Sequence, residues 1–567
     1  MSLPDGTEPA SEPVSESPSL AARVGLIAGP ALALVVYFLL PEGDGGLSHA
    51  ARACGGVATL MAIWWMTEAL PLEATALLPL VLLPLAGVYS ADIQPGDLVQ
   101  VKPLKTSGRV QTVAGETATV TFAAPSGSQR ADFPLAQLGK DAPFKRAAAP
   151  FAEPSIFLFL GGFLIALAIE KWGLHRRIAL LTVLAAGTRP SRLVGGFILA
   201  TGLISMWISN TATTVMMLPI GMSVVHLLRG SLGNKGEGQP GPATDASNFA
   251  TSLLLGIAYA ASLGGFATLV GTPPNVFFRG FLDDKGVSIG FFRWMLFALP
   301  LSLVYLAAAW WLMTQVLLPV RATDIPGGRQ LIRDEYRRLG PMSRGEWIVL
   351  GVFLATALLW IIREPLADWE WFAGRVPLVR AIDDSLIAMA GAIALFLIPV
   401  DLDKHEFALD WKTALRLPWG VLLLFGGGLS LATALTDTGF AAWIGKQATA
   451  FGGLPPIVQI VLIVAVIVFT GELTSNLAAV VAMLPILFAV AEEVQIDPLL
   501  LCVPAVVAAS CGFMLPVATP PNAIVFGTGQ IRLNQMVRAG LALDLLAIVL
   551  IPGALYLYGA RVLGIKM

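Results

Sequence analysis

The sequence predicts an all-α polytopic membrane protein, with about eleven spans and two re-entrant hairpins in an inverted repeat and a small β-rich insertion. Three observations lead there. Of 567 residues, 56% are hydrophobic and only 13% charged, and mean hydropathy is +0.75. One soluble core cannot hide that much apolar surface. Several stretches reach the roughly 20 apolar residues that a bilayer crossing requires. Lastly, one polar signature occurs twice on one hydrophobic framework. Ser209-Asn210-Thr211-Ala212 precedes Met217-Leu218-Pro219-Ile220, and Ser475-Asn476-Leu477-Ala478 precedes Met483-Leu484-Pro485-Ile486 at the same spacing. Upstream, Gly161-Gly162 and Gly173 recur as Gly427-Gly428 and Gly439. Downstream, Gly271-Thr272-Pro273-Pro274-Asn275 recurs as Ala518-Thr519-Pro520-Pro521-Asn522, at a shorter offset because only the first copy carries the polar loop Gly230–Asn248. Two copies of one membrane unit, each broken twice by polar residues, are the plan of a secondary transporter.

Taken in order, residues 1–21 are acidic and rich in Pro, Ser and Glu, with no basic segment before an apolar one. They read as a disordered cytoplasmic tail and not as a signal peptide. Apolar spans follow at Ala22–Leu40, Ala51–Met66 and Leu70–Val88, then Ser155–Glu170, Ser252–Phe278 and Phe291–Leu318. The rest are Trp347–Ile362, Ser385–Val400, Val421–Leu435, Val503–Phe526 and Leu541–Leu557. Leu193–Leu228 and Pro456–Ala491 are long enough for two helices each and hold the Ser-Asn signature at their centres. An unbroken helix would leave Ser, Asn and Thr without partners in hydrocarbon, so each is read as a re-entrant hairpin with the signature at its tip.

Five spans run from Ser155 to Val400, so the sixth, at Val421, crosses in the opposite sense and the two copies are inverted. With the N-terminus cytoplasmic, the loop after the fourth span (Lys171, His175, Arg176 and Arg177) lies inside, as do Arg321, Arg329, Arg333, Arg337, Arg338 and Arg344. The acidic, Trp-rich run Arg363–Asp384 lies outside, in keeping with the positive-inside rule, although Arg375 and Arg380 blunt the contrast. Residues 92–151 depart from the plan. They turn polar, and 97–102, 108–113 and 117–122 alternate like short strands, giving an external β-rich insertion that serves as a spacer or a dimer-stabilising knob. The domains are then 1–21 (tail), 22–91 (N-terminal scaffold spans), 92–151 (insertion), 152–320 (first repeat), 321–416 (cytoplasmic loop and scaffold spans) and 417–567 (second repeat).

The repeated breaks carry the chemistry. Consecutive prolines remove two donors and clash with the preceding turn, so no helix runs undisturbed through Pro273-Pro274 or Pro520-Pro521. A break inside the bilayer presents free N–H groups and a positive dipole end to an anion, and free carbonyls to a small cation. Asn210 and Asn476 offer amide donors and a carbonyl oxygen together, Ser209 and Ser475 add hydroxyls, and neither signature contains Arg or Lys. An anion so held depends on cations bound beside it. Glu472, next to the second tip, reads as a hydrogen-bonded anchor or as a proton-linked group. Trp64-Trp65 and Trp310-Trp311 fit aromatic belts. Cys54, Cys502 and Cys511 lie in apolar segments and read as core residues without a disulfide framework. None of the four histidines falls in a signature, which argues against a His-ligated metal. A net charge of −2 gives no pointer to nucleic acid.

On Ser205-Met-Trp-Ile-Ser209-Asn210-Thr211, Gly271-Thr272-Pro273-Pro274-Asn275, Glu472-Leu-Thr474-Ser475-Asn476 and Ala518-Thr519-Pro520-Pro521-Asn522, the chain resembles the divalent anion–sodium symporters, which include dicarboxylate, citrate and sulfate transporters. The resemblance spans nearly the whole chain apart from tail and insertion. It implies a multi-pass protein of the inner (plasma) membrane, a homodimer set among membrane lipid, whose hairpins and broken helices move elevator-fashion against a fixed scaffold. It implies co-transported sodium, with one site near Ser205, Ser209, Asn210 and Gly271 and another near Gly471, Thr474, Asn476 and Ala518. Substrate carboxylates would meet Ser209, Asn210, Thr211, Thr272 and Pro273 at one end and Ser475, Asn476, Thr519 and Pro520 at the other. The expected substrate is a small dicarboxylate such as succinate or malate. Two positions depart from the family, Leu477 and Gly471, where a hydroxyl residue is common. They leave open a sulfate or other inorganic-anion carrier and a sodium-independent exchanger of the same fold. A membrane enzyme has no support, since no nucleophile–base pair or cofactor loop occurs among the spans, and the two-sided hairpin plan disfavours a channel.

Overall fold

The computed structural model describes residues 20–42, 46–89, 98–104, 106–124, 127–135, 138–139, 142–187, 189–233, 240–320, 328–376, 378–448 and 452–566. Residues 1–19, nearly all of the expected tail, lie outside these, and the first helix is already formed at Leu20. Among the described residues nine helices are long and apolar enough to cross a membrane. Two of the nine, Asn210–Leu228 and Asn476–Glu493, are return legs of hairpins.

Each of the eleven expected spans is helical over most of its length, and three are broken. The third runs as Leu72–Ala76 and Leu78–Leu85, because Pro79 lacks the N–H that would bond back one turn and its ring crowds that carbonyl. The fifth stops at Gly265 and resumes as Pro273–Asp284, and the tenth stops at Ala509 and resumes as Pro520–Phe526. In both resumptions the first proline of the pair opens the new helix, where the missing donor would have been orphaned anyway. The Pro-Pro pairs therefore start helices instead of kinking them.

Both hairpins are present. Pro190–Ser205 turns into Asn210–Gly233, and Pro456–Gly471 turns into Asn476–Glu493, with the signature Asn as the first residue of each return leg. The duplicated glycines do duplicated work. Gly173 (φ 71°) and Gly439 (φ 77°) are left-handed corners opening the helices Leu174–Ala186 and Phe440–Gln447. A Cβ on Gly161 would lie 2.6 Å from the Ala388 carbonyl carbon, and one on Gly427 only 2.0 Å from Ala76 O, so spans from both copies pack backbone to backbone.

Three expectations need correcting. The basic stretch after the fourth span is a helix and not a loop, because Gly173 turns the chain and an apolar face at Leu174, Ala179, Leu180 and Val183 then buries. On it Arg177 is buried and bonded to Glu346 (Nε to Oε1 2.7 Å, Nη2 to Oε2 3.2 Å), so one of the charges counted toward the orientation is a structural strut. The polar loop of the first copy is largely helical too, with Asn210–Gly233 and Pro240–Gly265 flanking it. The insertion ends before 151, since Pro143–Ala148 is already helical. Its strands are β1 (Leu98–Val101), β2 (Thr106–Ala114), β3 (Thr117–Ala124), β4 (Gly127–Pro134) and β5 (Leu138–Gly139). They form one sheet in the order β4-β3-β2-β1-β5, every pairing antiparallel. It has its own small core of Val101, Val110, Ala118 and Val120. The three expected strands are β1, β2 and β3.

Elsewhere, ion pairs tie segments that are distant in sequence. Asp384 is buried and accepts from Arg279 (3.4 Å) and from the Phe291 N–H (3.2 Å), with Arg363 3.2 Å away. Lys171 pairs with Asp410 at 2.7 Å and holds that carboxyl below its usual range, fastening the loop after Val400 to the fourth span.

The glycine contacts give a direct expectation. Gly427→Ala forces the backbone at Ala76 to move and should destabilise by about 1–3 kcal/mol. Gly351→Ala, whose new methyl meets nothing within 4 Å, should be neutral or mildly stabilising. Thermal unfolding of the two variants in detergent checks the contrast.

Candidate functional site

Both hairpin tips and both helix breaks meet in one cavity of about 820 Å³. Its wall contains Ser209, Asn210, Thr211, Gly271, Thr272 and Pro273 from the first copy. From the second come Thr474, Ser475, Asn476, Leu477, Ala518, Thr519 and Pro520. Every site residue expected from sequence is there except Ser205 and Gly471, which are buried at the ends of the entering legs, behind the tips. Four helices begin at the cavity, at Asn210, Pro273, Asn476 and Pro520, so positive dipole ends converge on it, with free N–H groups supplied by the hairpin return legs at Asn210 and Asn476. The resumed helices open on Pro-Pro, and the next N–H is bonded to Thr272 O or to Thr519 Oγ1. Among the described lining residues there is no Arg or Lys, and Glu68 is the one charged side chain.

The first tip is tied to the first break by side chains. Thr268 donates its hydroxyl to Met206 O (2.6 Å) and accepts from the Gly271 N–H (3.1 Å). Asn275 Nδ2 donates to Phe266 O (3.1 Å) and Thr268 O (2.7 Å), strapping the unwound segment to the helix that follows it. Ser205 Oγ lies 2.7 Å from both Asn210 Oδ1 and Ala261 O. One hydroxyl has one proton and can satisfy only one of these acceptors. The second short oxygen–oxygen contact is a cluster of hard donors that suits a small cation.

At the second break the strap is repeated: Asn522 Nδ2 donates to Gly512 O (3.0 Å) and Leu515 O (3.1 Å). Leu515 stands where the first copy has Thr268, so the bridging hydroxyl is missing. Glu472, standing where the first copy has Met206, replaces it. Its carboxylate accepts the N–H groups of Phe513 (2.6 Å), Met514 (2.8 Å) and Leu515 (2.9 Å). These three bonds make Glu472 a hydrogen-bonded anchor for the second tip. Asn476 Oδ1 is buried without a hydrogen-bond partner, an orphaned oxygen aimed at the tip that a cation would satisfy. A Cβ on Gly471 would meet nothing within 4 Å, so the family's usual hydroxyl is absent but the room for it remains. Leu477 is 5% exposed and lines the cavity where Thr211 does in the first copy.

Sequence reasoning missed Thr268 and the strapping role of Asn275 and Asn522. The available signal was the duplicated Asn closing each Thr-Pro-Pro-Asn, together with Gly265-Phe266 recurring as Gly512-Phe513. It also missed the facing wall of Met66, Thr67, Glu68, Leu72, Pro418 and Val421, which carries no repeated motif.

Paired polar breaks closing on one cavity inside a bundle of membrane-length helices define a secondary transporter. The model of the sodium:sulfate symporter transmembrane region matches residues 22–565, and the chain belongs to that family. It is 38% identical over 546 residues to the sodium-dependent dicarboxylate transporter SdcS of Staphylococcus saprophyticus, covering 96% of this chain and 92% of that one. The protein of the same name from Staphylococcus aureus strain USA300 is 35% identical over 550 residues, with the same coverage. Among solved structures, the YdaH transporter of Alcanivorax borkumensis aligns over 89% of this chain and 97% of its own, at 14% identity and a TM-score of 0.48, too loose a likeness to carry weight.

The two copies make opposite forecasts. Gly271→Ala would place a Cβ 2.3 Å from Gly265 O and 2.9 Å from Met206 O, and should reduce sodium-driven uptake at least about tenfold. Gly471→Ser fills open space with an added oxygen. It should lower the sodium concentration for half-maximal uptake roughly fivefold, about 1 kcal/mol of extra ligation. Sodium titrations of uptake in proteoliposomes measure both.

Proposed function

We propose that this carrier takes up a small dicarboxylate, succinate or malate in the first instance, across the inner membrane together with sodium. The observation that carries the reading is the cavity itself, walled by helix starts, amides and hydroxyls with no cationic side chain among the described lining residues. Such a site neutralises a dianion only by binding cations next to it. Ser209, Asn210, Thr211, Thr272 and Pro273 hold one carboxylate, and Ser475, Asn476, Thr519 and Pro520 the other. Ser205, Ser209, Asn210 and Gly271 ligate one sodium ion, and Gly471, Thr474, Asn476 and Ala518 a second. The names of the staphylococcal relatives support both the cation and the substrate class.

Cations bind first and order the tips, the anion follows, and the loaded hairpins and broken helices cross as one body against the remaining spans. The protein works as a homodimer in lipid with its N-terminus in the cytoplasm. Each sodium ion beyond the charge of the anion adds about 2.3 kcal/mol per 100 mV of membrane potential. A sodium jump imposed on proteoliposomes tests the reading: labelled succinate should accumulate and then leak as the gradient collapses. Uptake equal in sodium and in choline would overturn it.

Leu477 favours weighing smaller anions as well, because it removes one hydroxyl and adds bulk at one end of the cavity. Leu477→Thr restores the hydroxyl found at Thr211 and should improve apparent succinate affinity by about 1 kcal/mol, roughly fivefold. Sulfate competition should weaken in step, and competition curves on wild type and variant measure the shift.

A further inference from the structure

We propose that Glu68 sets anion affinity in the described conformation, its carboxylate opposing the bound dianion so that the anion leaves once sodium has gone. This rests on the anion-carrying reading above and adds a residue to which neither signature points.

Glu68 is the only charged side chain among the described residues lining the cavity. It sits on the wall facing the tips, with Leu72, Pro418 and Val421, at the end of the helix His49–Thr67. Its backbone is left-handed (φ 50°, ψ 37°), its N–H capping the helix by bonding to Trp64 O. Glycine or asparagine takes that conformation at less cost. The chain keeps a carboxylate there nonetheless, so the side chain, and not the corner, explains the residue. Only His405 and Gln495 share a positive φ among described non-glycine residues, and neither lines the cavity. The Glu68 side chain is exposed, and no described residue hydrogen-bonds to it or pairs with it. Its neighbour Glu73, by contrast, packs over Gly420.

A fixed negative charge facing an anion site has a definite effect. With two sodium ions bound at the tips, the local charge is positive and the dianion is held. After the cations depart, no cationic side chain among the described lining residues replaces them, and the Glu68 carboxylate, in the same cavity wall, repels the two carboxylates of the anion. A residue that raises the free energy of every anion-bound state weakens the anion throughout, so that tight binding depends on the sodium ions that offset it. The attraction between sodium and anion supplies the coupling.

The test is equilibrium binding to the purified full chain at a fixed sodium concentration, with succinate and with its singly charged monomethyl ester. Glu68→Gln should tighten succinate about tenfold and the ester about threefold, since Coulomb energy scales with ligand charge. Glu68→Asp, which keeps the charge, should bind both like wild type, and added choline chloride should shrink the Gln effect. In uptake assays the Gln variant should lower KM and kcat together, because release slows. Glu68→Asn, at ease in the left-handed corner, serves if the Gln variant folds poorly. Unchanged succinate affinity in the neutral variants, or equal changes for both ligands, overturns the role of Glu68 alone. A wild type that binds no succinate in sodium overturns the proposed function itself.

Discussion

An interrupted backbone inside a membrane must find all its hydrogen bonds within the protein, and the rest of this molecule is arranged around that constraint. Hydrocarbon offers no water to a free N–H or C=O. A helix can be broken at mid-membrane only if the groups not reserved for ligand are tied down. Here one asparagine amide does so in each copy, Asn275 on Phe266 and Thr268 carbonyls and Asn522 on Gly512 and Leu515 carbonyls. The straps hold Thr272-Pro273 and Thr519-Pro520 in the cavity wall, beside the helix starts at Asn210 and Asn476. Without them the breaks would heal or collapse, and no anion site would exist.

The two copies solve the same problem with different side chains. In the first, a neutral hydroxyl on the break reaches back to the tip, Thr268 to Met206 O. In the second, a carboxylate on the tip reaches forward to the break, Glu472 to three consecutive N–H groups. Charge-assisted bonds of this kind are stronger than neutral ones, so the second tip is more firmly anchored to its break. Gly471 has no hydroxyl, and Asn476 keeps an oxygen without a protein partner. At the first tip, by contrast, Ser205 Oγ lies 2.7 Å from both Asn210 Oδ1 and Ala261 O. The two tips therefore offer unequal sets of oxygens.

Duplication made the site legible. A lone Ser-Asn or Pro-Pro is ambiguous, but two copies in register place Asn210, Asn476, Pro273 and Pro520 together before any coordinates are seen, and all four line one cavity. Hydropathy likewise placed the apolar segments on helices, because twenty apolar residues leave few alternatives. What stayed hidden had no periodic or repeated signal. Strand β4, Gly127–Pro134, is mostly polar and is fixed by pairing with β3, not by its own pattern. The helix Leu174–Ala186 was masked by the basic residues at its start. Thr268 is invisible because its counterpart, Leu515, is apolar, and the stretch of cavity wall from Met66 to Leu72 lies outside the repeat.

Motion of the tips would meet two kinds of surface. Trp207, in the first tip, stacks on Trp360 with ring centroids 6.4 Å apart at 4° and meets Phe353 edge-on at 5.0 Å. Phe291 stacks on Trp360 at 4.4 Å. Aromatic contacts of this sort are broad and weakly directional, each worth about 0.5–1.5 kcal/mol beyond burial, so they permit sliding between alternative stacks. The Asp384 cluster behaves differently. A buried carboxylate held between Arg279 and Arg363 has no good intermediate position, since leaving one partner exposes an uncompensated charge. Broad aromatic contacts and one directional ionic cluster thus border the first tip and the helix that follows its break, and the two resist displacement in different ways.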